Sequence, residues 1–207
     1  MGLFVKKKDG NLSSIINEES IGFDAIDKHF SKIHQENINP KHFYPKVAWR
    51  FGGNFPLDEI DVYITDKYYH FVTYGLSELY EKQNDIKDIS GYGMEFTLKL
   101  KNDGNVNDDK LEDLADVLQD IARITFTEGE LFNENEFIDF GDNLFDSNIA
   151  GFITGIDKDA GIIETGNGKV KFIILVGVTK EEIEALKRKD LTVKELFDRK
   201  GEITKYK

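Results

Sequence analysis

Residues 172–178 read Phe-Ile-Ile-Leu-Val-Gly-Val, seven positions without a polar side chain. In an extended strand Phe172, Ile174 and Val176 face one way, and Ile173 and Leu175 face the other. Such a segment is far too short to span a bilayer. Being apolar on both faces, it predicts a central strand with a layer packed over each side. The rest of the chain has to supply that strand's neighbours and its two covers.

The neighbours are legible by a period of two. Thr165-Gly166-Asn167-Gly168 has hairpin-turn chemistry and leads into a strand over Lys169–Val178, with further strands expected at Ile149–Ile156 and Ala160–Glu164. Upstream, Val47–Phe51, Ile60–Thr65 and Tyr69–Tyr74 are rich in β-branched and aromatic residues, the first two separated by Gly52, Gly53, Asn54 and Pro56. Met94, Phe96, Leu98 and Leu100 alternate with Glu95, Thr97 and Lys99, which predicts a strand wet on one side.

The covers show the helical period. Phe23, Ile26, Phe30 and Ile33 predict a helix over about residues 23–35. Leu111, Leu114, Ala115, Leu118, Ile121 and Ala122 form a second apolar stripe, preceded by Asp109-Lys110-Leu111-Glu112 at capping-box spacing. Thr179-x-x-Glu182 and Thr192-x-x-Glu195 are capping boxes that open two more helices. Short turns between strands and segregated helices place the fold in the α+β class, a mixed, largely antiparallel sheet covered by helices. Residues 21–207 are expected to form one such domain after an N-terminal extension, residues 1–20. The Phe- and acid-rich stretch from Glu128 to Asp146 has no clean period and reads as a long loop with a short strand near Phe137–Phe140.

Charge narrows the class of partner. The net charge is −12, and residues 102–146 hold 14 Asp and Glu against Lys110 and Arg123, so this segment accounts for all of it. That field repels nucleic acid and anionic membrane and attracts basic proteins. The sequence contains no cysteine, as suits a reducing compartment. Lys6, Lys7 and Lys8 lead into Asp9 rather than an apolar stretch, and Lys6 stands where a myristoylation signal needs Ser or Thr. A cytoplasmic, soluble protein with no membrane partner is expected.

Little in the chain suggests catalysis. With no Cys and four His, soft-metal and thiol chemistry is nearly excluded; His29 and His34 are five apart, and His42 and His70 lie in aromatic surroundings. Asp103–Asp108 fails the calcium-loop register, because Asp108 stands where the EF-hand needs Gly. Gly151, Gly155, Gly161, Gly166 and Gly168 lack the Gly-Lys-Ser/Thr of a phosphate loop. No catalytic, cofactor-binding or metal-binding residue is expected. Glu78 and Glu95 stand out because each lies in or beside an apolar, aromatic stretch. Burial would suit either to acid–base work, alongside His70; alternatively backbone N–H groups or Arg50 would hold it as a brace.

Phe71-Val72-Thr73-Tyr74-Gly75-Leu76-Ser77-Glu78-Leu79-Tyr80 resembles the central signature of the suppressor of fused domain family, in which a strand ends in a T-x-G-L-S-x-L turn. Trp49-Arg50-Phe51-Gly52-Gly53 upstream, Ser90-Gly91-Tyr92-Gly93-Met94-Glu95-Phe96-Thr97 downstream and the C-terminal Leu175-Val176-Gly177-Val178-Thr179 run match in order. The resemblance covers about residues 21–199 and is to the bacterial branch. It implies an α/β sandwich of that family's N-terminal domain type and no catalytic activity. Bacterial members resemble immunity proteins of polymorphic toxin systems, so it also implies binding to a co-encoded toxin, basic and often a nuclease. An adaptor that holds a partner peptide by strand addition is the alternative, and a hydrolase built on Glu78, Glu95 and His70 the third reading. The signature residues Arg50, Thr73, Gly75, Leu76, Ser77, Glu78, Gly91, Gly93 and Glu95 are read as scaffold. Partner contact is expected instead at Glu128, Glu130, Phe132, Glu134, Glu136, Asp139 and Asp142, where exposed Phe would anchor and carboxylates would steer.

Overall fold

The structure, a computed structural model, describes residues 20–35 and 39–207. Of the expected N-terminal extension, residues 1–19 lie outside the described residues. In chain order the elements are α1 (Ile21–Ile33), β1 (Lys41–Phe43), β2 (Glu59–Ile64), β3 (Tyr68–Tyr74), β4 (Ile89–Lys101) and α2 (Asp108–Glu128). There follow β5 (Phe137–Asp139), β6 (Gly151–Ile156), β7 (Ile162–Thr165), β8 (Gly168–Val178), α3 (Lys180–Lys187), α4 (Val193–Lys200) and β9 (Ile203–Thr204).

The nine strands form one mixed sheet in the order β1-β2-β3-β4-β8-β6-β5, with β7 on β8 and β9 on β4. Strand β4 runs parallel to β8 and β9, and the other pairs are antiparallel. The strand apolar on both faces is central, as its composition requires. Its Ile173 and Leu175 join a core with Leu111, Leu114, Leu118 and Ile121 of α2. From the opposite face, Phe172 packs with Ile26 and Phe30 of α1, while Ile174 and Val176 pack with Ile183 of α3 and Leu196 of α4. Helices therefore cover both sides of an α+β sheet.

Both C-terminal capping boxes form, on Thr179 with Glu182 and on Thr192 with Glu195. The cap of α2 lies two residues earlier than its spacing suggested: Asn107 accepts from the Lys110 N–H, and Asp108 and Asp109 form the first turn. Their charges then oppose the positive end of the helix dipole.

Two strand expectations fail for physical reasons. Val47–Phe51 is not a strand, because Trp49–Phe51 form a single 3-10 turn closed by Gly52 at φ +82°. Its aromatic residues are exposed and pack on other side chains: Trp49 lies edge-on to Phe126, and Phe51 stacks under Arg50. The second failure matters more for function. Strand β4 is not wet on one side; Glu95, Thr97 and Lys99 are 0, 0 and 2 % exposed. Because β4 lies inside the sheet, its polar face is covered, and each of those polar groups needs a partner.

Candidate functional site

The turn that follows β3 is built by close approach of backbones. Gly75 has φ +141°, and a Cβ there would stand 2.9 Å from the Leu57 Cα and the Pro56 carbonyl oxygen. Gly91 has φ +55°, and its Cβ would stand 2.8 Å from the Leu76 carbonyl oxygen. Only glycine fits either place. Gly93 lies beside it where the β4–β8 register shifts, and Leu76 points into the core.

Glu95 lies under this crossing. Its Oε1 accepts from Gly75 N–H (2.9 Å), Ser77 N–H (2.8 Å) and Ser77 Oγ (2.7 Å), and its Oε2 accepts from Thr73 Oγ (2.7 Å). Thr73 Oγ in turn accepts from the Phe96 N–H. Complete burial pushes the Glu95 carboxyl up to about 7, against the four donated bonds that favour its charge.

Glu78 is held separately, by the N–H groups of Gln83 and Asn84 and by Lys82 Nζ. Burial raises its carboxyl, but the Asn84 and Gln83 amides and Lys82 outweigh it and leave Glu78 below its ordinary value. Among the described residues Arg50 meets other side chains than the two glutamates. It pairs with Asp58 at 3.0 Å, donates to Tyr80 Oη at 2.9 Å and lies over the Tyr80 ring. A groove of about 540 Å³ runs beside the turn, walled by Trp49, Arg50, Tyr80, Tyr92 and Phe126.

The remaining polar groups of β4 join a buried chain. His34 Nε2 lies 3.1 Å from His70 Nδ1, and His70 Nε2 lies 3.1 Å from Asp157 Oδ2. Thr97 donates to the same carboxylate, and Lys99 reaches Asp157, Asp159 and Glu202 at 2.7–2.9 Å. Burial, with His70 and Lys99 nearby, lowers His34 to about 4, and burial lowers His70 too, so both imidazoles are neutral at pH 7. Although burial raises Asp157, His70 and Lys99 hold it well below the usual carboxylate range. The ammonium of Lys99 already fills the centre of the Asp157–Asp159–Glu202 cluster, where a metal would otherwise compete. Glu78, Glu95 and His70 thus have no hydrogen-bond partner in common, and the geometry gives a hydrolytic reading no assembled group.

The acid-rich segment has the opposite character. Glu128 ends α2, and Glu130, Glu134, Glu136, Asp139 and Asp142 follow on an exposed path around β5, the last strand of the sheet order. Among the described residues Glu128, Glu130 and Glu134 form no ion pair; Asp139 meets Lys187 at 2.6 Å and Asp142 meets Lys180 at 3.8 Å. Phe132 departs from expectation. Only 9 % exposed, it packs edge-to-face on Phe96 and cannot anchor a partner. Leu131, Phe137 and Phe145 are the exposed apolar groups instead, at 52, 39 and 51 %. Glu130, Leu131, Phe132, Asn135, Glu136 and Phe137 line a depression of about 520 Å³.

The profile of the suppressor of fused protein family matches residues 56–205, from just before β2 through β9. The chain belongs to the suppressor of fused family. That match includes the Glu95 crossing and the acidic segment, whereas α1, β1 and Arg50 lie before it. The fold agrees with solved suppressor of fused structures. A chain of a Sufu–Fu complex superposes with a TM-score of 0.78 at 22 % identity, over 90 % of both chains. Suppressor of Fused from Drosophila gives 0.79 at 23 % identity, over 90 % of this chain and 50 % of that one. A putative suppressor of fused homolog from Neisseria gonorrhoeae FA 1090 gives 0.58 at 20 % identity, over 87 % of this chain and 90 % of that one. Among curated proteins no sequence matches. The family is one of protein-binding regulators and is not known for enzymes. Among the described residues no helix is long and apolar enough to cross a membrane.

Proposed function

We propose that this suppressor of fused domain is an immunity or antitoxin-like protein that neutralises a basic toxin by occupying its active surface. The observation that supports this reading is the exposed rim of Glu128, Glu130, Glu134, Glu136, Asp139 and Asp142 around the apolar side chains of Leu131, Phe137 and Phe145. A surface that binds phosphate-bearing substrate is cationic. A carboxylate rim competes for it and speeds encounter by electrostatic steering, and the apolar centre then slows release.

Co-expression with the product of a neighbouring toxic reading frame tests this. Cells carrying the native chain survive. A Glu130→Lys, Glu134→Lys, Glu136→Lys, Asp142→Lys variant fails to protect, with association slowed on the order of 10- to 100-fold and its salt dependence lost. Unchanged protection and unchanged salt dependence in the variant would overturn the role of the rim.

The position of β5 supports one other reading. It ends the sheet order, and among the described residues no strand pairs with its outer edge, the kind of edge that strand addition uses. An adaptor of that kind would bind a short extended peptide from its partner nearly as well as the whole protein. A requirement for the folded partner would exclude it.

A further inference from the structure

At the other end of the sheet, β1 and β2 pair with His42 opposite Asp61, and Glu59 lies two residues before Asp61 on the same face. His42 Nδ1 lies 2.6 Å from Glu59 Oε1 and 2.6 Å from Asp61 Oδ1. The carboxylates are buried, with side chains 8 and 1 % exposed, while the imidazole is 44 % exposed. Among the described residues no Lys or Arg forms an ion pair with either carboxylate. One ring nitrogen carries at most one proton, so the two carboxylates have to share that hydrogen. Tyr44 adds a side-chain hydrogen bond to Glu59, and Glu59 and Asp61 contact each other. Two buried carboxylates thus converge on one nitrogen with no Lys or Arg between them.

We infer that His42, Glu59 and Asp61 form a binding site for a borderline divalent cation of the zinc class. One nitrogen and two carboxylate oxygens suit Zn²⁺, Co²⁺ or Mn²⁺ and do not suit Ca²⁺ or Mg²⁺, which favour oxygen alone. The three donor atoms lie within 4.8 Å of one another. Metal bonds of about 2.0–2.1 Å at tetrahedral angles would hold them about 3.3 Å apart. The present 2.6 Å contacts open to that spacing by a shift of under about 1 Å, which the half-exposed His42 can supply. Tyr44 stacks on the His42 ring at 5.9 Å and 17°, and so sets its plane. The site has three protein ligands and a side open to water. When filled it pins the edge strand β1 to β2 and offers a free coordination position at the sheet margin. This inference does not depend on the proposed acidic binding face.

The test uses the full chain stripped with chelator, then titrated with ZnCl₂ by calorimetry and followed by thermal unfolding, with MgCl₂ in parallel. One Zn²⁺ per chain is expected, Mg²⁺ giving no response. At about 100 times Kd the melting temperature should rise by about 5 °C or more. Asp61→Asn should weaken Zn²⁺ binding at least about 10-fold. His42→Gln, a change at a half-exposed edge position, supplies a second variant whose fold is checked by circular dichroism. Zn²⁺ without effect on the native chain, or binding that survives unchanged in His42→Gln, would overturn the site.

Discussion

Glu95 at the middle of the sheet and the Glu59–Asp61 pair at its edge are all buried carboxylates, but they are satisfied in opposite ways. Glu95 receives four hydrogen bonds, two from backbone amides and two from hydroxyls of its own turn. Glu59 and Asp61 crowd against each other on one imidazole nitrogen, with the Tyr44 side chain on Glu59. A buried carboxyl with a full set of internal donors is a fastener, because removing it leaves those donors stranded. A buried pair of carboxylates with no Lys or Arg beside it is open to a cation from outside. The carboxylates of residues 128–146 are a third kind, dissolved at the surface, where they set a field and hold nothing together.

The largest effect is expected at the fastener. Glu95→Ala strands the Thr73 hydroxyl and the amides of Gly75 and Ser77 in a dry interior. A loss of about 3–5 kcal/mol in unfolding free energy is expected, measured by urea denaturation. A loss under about 1 kcal/mol would erase the distinction between the two ends of the sheet.

Glu95 should also leave a pH signature. Its folded value of about 7 lies above the ordinary 4.5, so between those values the folded chain holds a proton that the unfolded chain releases. The stability this group contributes is complete below about pH 4.5 and declines as pH rises through 7. The shift corresponds to something on the order of 3 kcal/mol. Glu95→Gln keeps the shape and one strong acceptor, so the difference in stability between variant and native chain should move in the variant's favour from pH 5 to pH 8. A constant difference would show that the four donors, rather than burial, set the charge of Glu95.

How far these carboxylates could be read from sequence follows the same division. The two-sided strand Phe172–Val178 and the Thr179 and Thr192 caps are local patterns that carry over into the structure, whereas the local pattern at Val47–Phe51 does not. The alternation through Met94–Leu100 shows that one face of β4 is polar, but not that the face is covered. Covering depends on Asp157, Asp159 and Glu202, which arrive from 58 to 103 residues away in sequence. His42, Glu59 and Asp61 meet only because β1 pairs with β2 in one particular register, which no spacing within either strand reveals. The exposed acids of residues 128–146 were legible from composition; the burial of Phe132 against Phe96 was not, since an aperiodic stretch gives no sign of which ring turns inward.

The edge pair should respond with the opposite sign to Glu95. In metal-free protein at pH 8, Asp61→Asn removes one of two crowded negative charges and keeps the shape. Stability is expected to stay level or to rise by about 1 kcal/mol, by the same urea measurement. In saturating Zn²⁺ the order should reverse, with the native chain the more stable. A substantial loss in the metal-free variant would mean that the His42 contact already satisfies both carboxylates, which would place this pair with Glu95.

The smallest effect on the fold is expected from the largest change in charge. Converting Glu130, Glu134, Glu136 and Asp142 to Lys together should leave the unfolding free energy at moderate salt within about 0.5 kcal/mol per position, because none of these side chains is buried. The salt dependence of stability should nevertheless change. At low ionic strength the native chain, at −12, is loosened by repulsion among its own acids, and added salt screens that repulsion over a Debye length of about 10 Å at 0.1 M. With much of the excess negative charge removed, the variant should gain little from salt. If native and variant chains instead responded to salt alike, the repulsion would lie elsewhere on the molecule, and residues 128–146 would lose their standing as the source of its field.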